Sequence, residues 1–203
     1  MRDPAEQPLI DGLRRGDRAA FATAYDRYRA RIHGFLLRLS GRRDVAEDLF
    51  QEVWLKLARS APRLREDTDL AAWLFTVARN EHVSYRRWSM LDVSRLVALG
   101  DEGSYASHER APDALTDDAR AMHRLERALA ALPAASREVL LLVGVEGFDQ
   151  EQAAAMLGVR YDALRQRLAR ARAQLAVALE KLEKTETKKA ARAAAPETIR
   201  GAR

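Results

Sequence analysis

The 203-residue chain contains no cysteine, which excludes disulfides and thiolate metal sites. Its four histidines, His33, His82, His108 and His123, are scattered without ligand spacing. A hydrolase or metalloenzyme needs a clustered site, so no enzyme, no metal and no cofactor is expected. No apolar run approaches the ~18 residues of a membrane span, and the opening MRDPAEQPLI lacks the apolar core of a signal peptide. The expectation is a cytoplasmic protein without membrane insertion. An excess of positive charge is also missing from most of the chain. The formal net charge is +5, but from Lys181 onward seven Lys/Arg face three Asp/Glu, which leaves the rest near +1. Global charge is therefore no argument for nucleic-acid binding, and local patches must carry one.

What is present is helical periodicity. A hydrophobic content of 47% suffices for real cores. After Asp17, a plausible N-cap, Phe21, Tyr25, Tyr28, Ile32, Phe35 and Leu39 alternate steps of four and three until Gly41 closes the run. In DVAEDLFQEVWLKLARS, Asp44 and Glu47 have capping-box spacing. Leu49, Val53 and Leu57 line one face of that helix, with Asp48, Gln51, Glu52 and Lys56 on the other. A third helix, from about Asp69 to Trp88, carries Leu70, Trp73, Leu74, Val77 and Tyr85, and Trp73 on this stripe is assigned to the core. The polar loop APRLREDTD precedes it. These helices predict one all-α domain.

From Ser89 to Asp118 periodicity dissolves, and seven acids against two arginines mark an acidic flexible linker. It returns with ARAMHRLERALAAL and with the helix opened by Pro133. In GFDQEQAAAMLGV, Asp149 and Gln152 form a capping box and Gly158 stands where a helix must stop. A longer basic helix follows, so the stretch predicts a helix-turn-helix whose second helix enters the major groove. On that helix Tyr161, Leu164, Leu168, Ala171 and Leu175 form the stripe expected to bury. Asp162, Gln166, Ala169 and Arg170 lie opposite, flanked by Arg165. Beyond Glu183 the basic tail has few large apolar residues and is expected to be disordered.

Three stretches carry a resemblance: AEDLFQEVWLKL, AAWLFTVARN and LPAASREVLLLVGVEGFDQEQAAAMLGV with RLARAR after it. In this order and split by an acidic linker, they resemble a bacterial RNA polymerase sigma factor of the extracytoplasmic-function group, in the sigma-70 family. The resemblance implies two small helical domains: residues 1–88 as sigma region 2, 89–118 as linker, 119–183 as sigma region 4 and 184–203 as tail. It implies a non-catalytic protein that binds core RNA polymerase, at the β′ clamp helices and the β flap. It further implies recognition of the −10 and −35 elements of promoter DNA, and regulation by an anti-sigma factor or other regulator. The alternative is a helix-turn-helix regulator that does not bind core polymerase.

Residue by residue, DLFQE implies a polymerase surface of Asp48, Leu49, Gln51 and Glu52, and carboxylates suit a basic partner. The loop LREDTD matches the segment that captures a flipped −10 base, implying Leu64, Arg65, Asp67 and Thr68. Asn80 and Ser84 match positions facing the upstream edge of that element. Arg165, Gln166, Ala169 and Arg170 match −35-contacting positions, with Arg172 at the flank as a phosphate holder. A linker of about thirty residues at up to ~3.3 Å each reaches roughly 100 Å, enough to join the two elements. The chain departs from the family at RYDAL, where Arg160 is a poor N-cap, and at Thr76, where a basic residue is common.

Overall fold

The computed structural model describes residues 6–91 and 116–193. Eight α-helices lie among them: α1 Glu6–Arg14, α2 Arg18–Ser40, α3 Arg43–Ser60, α4 Leu70–Leu91, α5 Asp117–Ala130, α6 Ala134–Leu140, α7 Gln150–Leu157 and α8 Tyr161–Ala193. The fold is all-α, with an N-terminal unit of α1 to α4 and a C-terminal unit of α5 to α8. Most of the expected linker, residues 92–115, and the tail from 194 lie outside the described residues.

The helix α2 starts and stops on the residues its sequence marks. Asp17 accepts from the Ala19 N–H at 2.8 Å. Gly41, at φ 71°, donates its N–H to the Leu37 carbonyl at 2.9 Å. Tyr28, Ile32, Phe35 and Leu39 are buried, while Phe21 packs edgewise and Tyr25 tilted against Trp54 of α3. The short α1, which periodicity did not reveal, covers this core with Leu9, Ile10 and Leu13. Its Gly12 is required by close approach, since a Cβ there would stand 2.6 Å from the Ala20 Cβ. The buried Tyr28 hydroxyl donates to Glu6 at 3.0 Å, and burial together with that carboxylate pushes its pKa up to about 12.

Three local expectations are corrected. The Asp44–Glu47 capping box does not form. The helix α3 begins at Arg43 without a side-chain cap, because Asp44 accepts from Arg42 at 3.2 Å and Glu47 pairs with Arg43 at 2.9 Å. Asp44 still lies in the first turn, where the helix dipole favours it. On α4 the buried stripe is wider than expected: Leu70, Leu74, Phe75, Ala78 and His82 are buried, while Trp73, Val77 and Tyr85 pack against the core half-buried. Finally, α8 continues through residues 184–193, where a disordered tail was expected. Glu186 reaches back to Arg127 at 3.3 Å and Arg124 at 3.7 Å on α5, and Lys184 pairs with Glu180 one turn earlier.

The widening of the α4 stripe has a tertiary cause, because the C-terminal unit buries a second side of this helix. The Phe148 ring meets Phe75 edgewise at 5.2 Å. Around them Arg31 bonds both the Glu146 carboxylate, at 3.1 Å, and its carbonyl, at 3.0 Å. Arg79 pairs with the buried Glu138 at 2.8 Å, and Gln152 donates to Asp69 at 3.2 Å. Burial raises the Glu146 carboxyl above its usual range even though Arg31 opposes the shift. The two units thus meet through an aromatic contact ringed by charge-assisted hydrogen bonds.

His82 of α4 is buried at 5% exposure, and burial, then Arg86, Arg137 and Arg79, depress its pKa from 6.5 to about 4. Unfolding returns it to its ordinary value, so the unfolded chain binds more protons between these limits. Stability is full above pH 6.5 and drains as pH falls toward 4. The expected loss between pH 7.5 and pH 5 is about 2 kcal/mol from this one group. Urea unfolding of the wild type and of His82→Phe at both pH values checks it. An equal pH dependence in the two proteins would refute the assignment.

Candidate functional site

The C-terminal helix-turn-helix is built as its sequence demands. Asp149 accepts from the Gln152 N–H at 2.8 Å while the Gln152 side chain accepts from the Asp149 N–H at 3.2 Å. Gly158, at φ 63°, ends α7, and its neighbour Val159 bonds back to the Ala154 carbonyl at 3.0 Å. Buried Ala153 and Ala154 let α7 approach α8, which inserts Leu164, Leu168 and Ala171. Arg165, Gln166, Ala169, Arg170 and Arg172 are all exposed, so one surface gathers the five predicted residues. Tyr161 is corrected: it is exposed and lies beside Arg165, with the guanidinium 5.9 Å from its ring. Arg167 is also exposed and was not singled out, although its place in RQRLARAR was visible.

In the N-terminal unit the loop before α4 is ordered by its own contacts. Leu64 is corrected from pocket wall to core residue, since it is buried and donates its N–H to Ala61 at 3.1 Å. Arg65 and Asp67 form an exposed fork at 2.9 and 3.2 Å, and the Thr68 N–H closes a turn onto the Arg65 carbonyl at 3.1 Å. Arg14 of α1 holds Glu66 at 2.8 Å. Asp69 caps α4 by accepting from the Ala72 N–H at 2.8 Å. Further along α4, Asn80 and Ser84 are exposed, and the Asn80 side-chain Oδ1 accepts from Arg79 at 3.1 Å.

On α3, Asp48, Gln51 and Glu52 are exposed together, whereas Leu49 is buried and is corrected from surface contact to support. The apolar residue at the end of the acidic face is Leu55, 45% exposed. It was missed, although it follows Asp48, Gln51 and Glu52 at spacings of seven, four and three. Among the described residues no group of three or more His, Asp or Glu side chains could hold a metal ion, and no helix is long and apolar enough to cross a membrane.

Two helical units, one ending in a helix-turn-helix with an exposed basic face and the other in a two-faced helix beside an ordered polar loop, define a bipartite DNA-binding protein. Comparison with known proteins narrows the class. Residues 24–89 match the sigma-70 region 2 family and residues 122–175 the sigma-70 region 4 family. The chain is 33% identical to the ECF RNA polymerase sigma factor EcfG of Rhodopseudomonas palustris (strain TIE-1), over 85% of this chain and 87% of that protein. It is 32% identical to the RNA polymerase sigma factor CarQ of Myxococcus xanthus, over 86% and 97% of the two chains. A solved structure of the sigma factor RpoE with the anti-sigma factor NepR from Bartonella quintana matches with TM-score 0.62 and 29% identity, over 79% of this chain and 96% of that one. The chain belongs to the ECF sigma factors of the sigma-70 family, which direct promoter-specific transcription and are not an enzyme class.

Proposed function

We propose that this sigma factor binds core RNA polymerase through the acidic face of α3, reads the −10 element with the 65–68 loop and the Asn80/Ser84 face of α4, and reads the −35 element with the first turns of α8. It has no catalytic activity of its own and works in the cytoplasm under an anti-sigma factor or comparable regulator. The observation that carries this reading is the register of α8. Its buried stripe faces α5, α6 and α7 and leaves Gln166 and Ala169 pointing outward between arginines.

The −10 unit comprises α1 to α4 and the −35 unit α5 to α8. The elements' names place them about 25 base pairs apart, roughly 85 Å at ~3.4 Å per base pair. The packed units therefore part when both elements are held, and the linker supplies the reach.

Base readers and phosphate holders on α8 are separable by substitution. Gln166→Ala removes a side chain that can bond a base edge, so it should relax preference within the −35 element at a cost of about 1–3 kcal/mol on the best site. Arg172→Ala should weaken all sites alike and lower the salt slope by about one. Holoenzyme binding to −35 variants at two salt concentrations tests both. Uniform weakening by Gln166→Ala together with altered base preference in Arg172→Ala would overturn the assigned register.

A further inference from the structure

The loop between α3 and α4 is anchored at three points. Leu64 is buried and Asp69 caps α4, which fixes each end. The third anchor lies between them, where Glu66 accepts from the Arg14 guanidinium of α1 at 2.8 Å. Arg65 and Asp67 stand on either side of Glu66, exposed and paired with each other.

Arg14 is itself rigidly placed. Its helix buries Leu9, Ile10 and Leu13, packs on the turn Ala61–Arg63 that opens the loop, and is tied at its first residue by Glu6 to the Tyr28 hydroxyl. Arg14 stands in the last turn of α1, where a cation suits the helix dipole, and its side chain is 34% exposed. The Glu66 side chain is 73% exposed, so its carboxylate faces the phosphates of any strand the loop takes up. The guanidinium thus ties the middle of the loop to a fixed helix and offsets a charge that would repel DNA.

We propose that Arg14 is a positioning residue for −10 recognition: through Glu66 it holds the 65–68 loop in the shape that admits a base, without touching DNA itself. The inference rests on the −10 reading of that loop. A loop already in its bound shape loses less conformational freedom when the strand arrives, so the ion pair acts on binding and on the choice of base. An exposed ion pair contributes little to folding, so thermal unfolding should hardly register its loss.

The test uses holoenzyme and single strands carrying the −10 element of a promoter it transcribes, together with their single-base variants. Arg14→Gln should weaken the best strand about threefold to fivefold, and Arg14→Glu, which sets two carboxylates together, about tenfold. Both should narrow the gap between the best strand and its variants, while affinity for core polymerase and thermal unfolding stay near wild type. The exchange Arg14→Glu/Glu66→Arg rebuilds the pair in reverse and should return affinity and discrimination to within about twofold of wild type. An exchange no better than Arg14→Glu alone, or wild-type discrimination in Arg14→Glu, would overturn the proposal. Arg65→Ala/Thr68→Ala separates it from the reading beneath it. If that variant loses discrimination while Arg14→Glu keeps it, the positioning role alone fails; if that variant binds every strand like the wild type, the −10 reading of the loop fails and the role of Arg14 with it.

Discussion

The double substitution Asp48→Lys/Glu52→Lys should abolish capture of core polymerase. Both carboxylates are exposed on α3, one turn apart, with Leu55 one turn further on the same face. Residues beneath them, Leu49 and Val53, are buried and untouched by the change, so helicity and thermal unfolding should stay near wild type. A partner surface suited to carboxylates is basic, and two lysines would turn each attraction into repulsion. Like charges set against each other at an interface cost several kcal/mol, and a loss of more than about 100-fold in affinity follows. The loss should fall mostly on binding of the polymerase, because neither residue belongs to α8 or to the 65–68 loop. Wild-type affinity in a pull-down with intact helicity would remove α3 from the interface.

Local rules on the sequence foretold the helix-turn-helix to the individual hydrogen bond, because a capping box and a left-handed glycine are decided by neighbours a few residues away. The α2 ends were legible for the same reason. Where the outcome depends on residues far apart in the chain, the sequence reading failed. Tyr161 continues the apolar spacing of Leu164 and Leu168, yet it stands in the first turn of α8 and stays exposed beside Arg165. Phe75 was overlooked because it is held between two rings distant in the chain, Phe35 of α2 and Phe148 of the C-terminal unit, each 5.2 Å away. Leu49 was placed on the exposed face of α3 by motif matching, while the helical register buries it and exposes Leu55 instead. The tail beyond Glu183 lacks large apolar residues, and its helix is held instead by Glu186 against two arginines of α5, a pairing invisible to periodicity.

The packing of the two units places one side chain at the junction of two helix ends, and Arg137→Met should be the most destabilising single substitution considered. Carbonyls at a helix C-terminus lack intrahelical partners and must find donors elsewhere. The Arg137 guanidinium donates to Leu129 at 2.9 Å, Ala130 at 2.6 Å and Leu132 at 3.1 Å, closing the end of α5. It also donates to Leu39 at 3.1 Å and Arg38 at 3.4 Å, at the end of α2 in the other unit. Its positive charge suits both negative dipole ends. Methionine fills much of the volume but donates nothing, so several half-buried carbonyls lose their partners at once. Each uncompensated group costs about 1–3 kcal/mol, and a total loss of about 3–5 kcal/mol is expected once water satisfies the more open ones. A comparison variant divides the effect between the units. Arg31→Gln removes the charge facing Glu146 while leaving α5 and α6 intact, and it should cost about 1–2 kcal/mol, because Arg31 is 43% exposed and the glutamine amide can still donate to the buried Glu146 carboxylate. Denaturant unfolding at neutral pH measures both. If Arg137→Met cost no more than Arg31→Gln, the arginine would be a surface contact, and something else would hold the ends of α2 and α5 together.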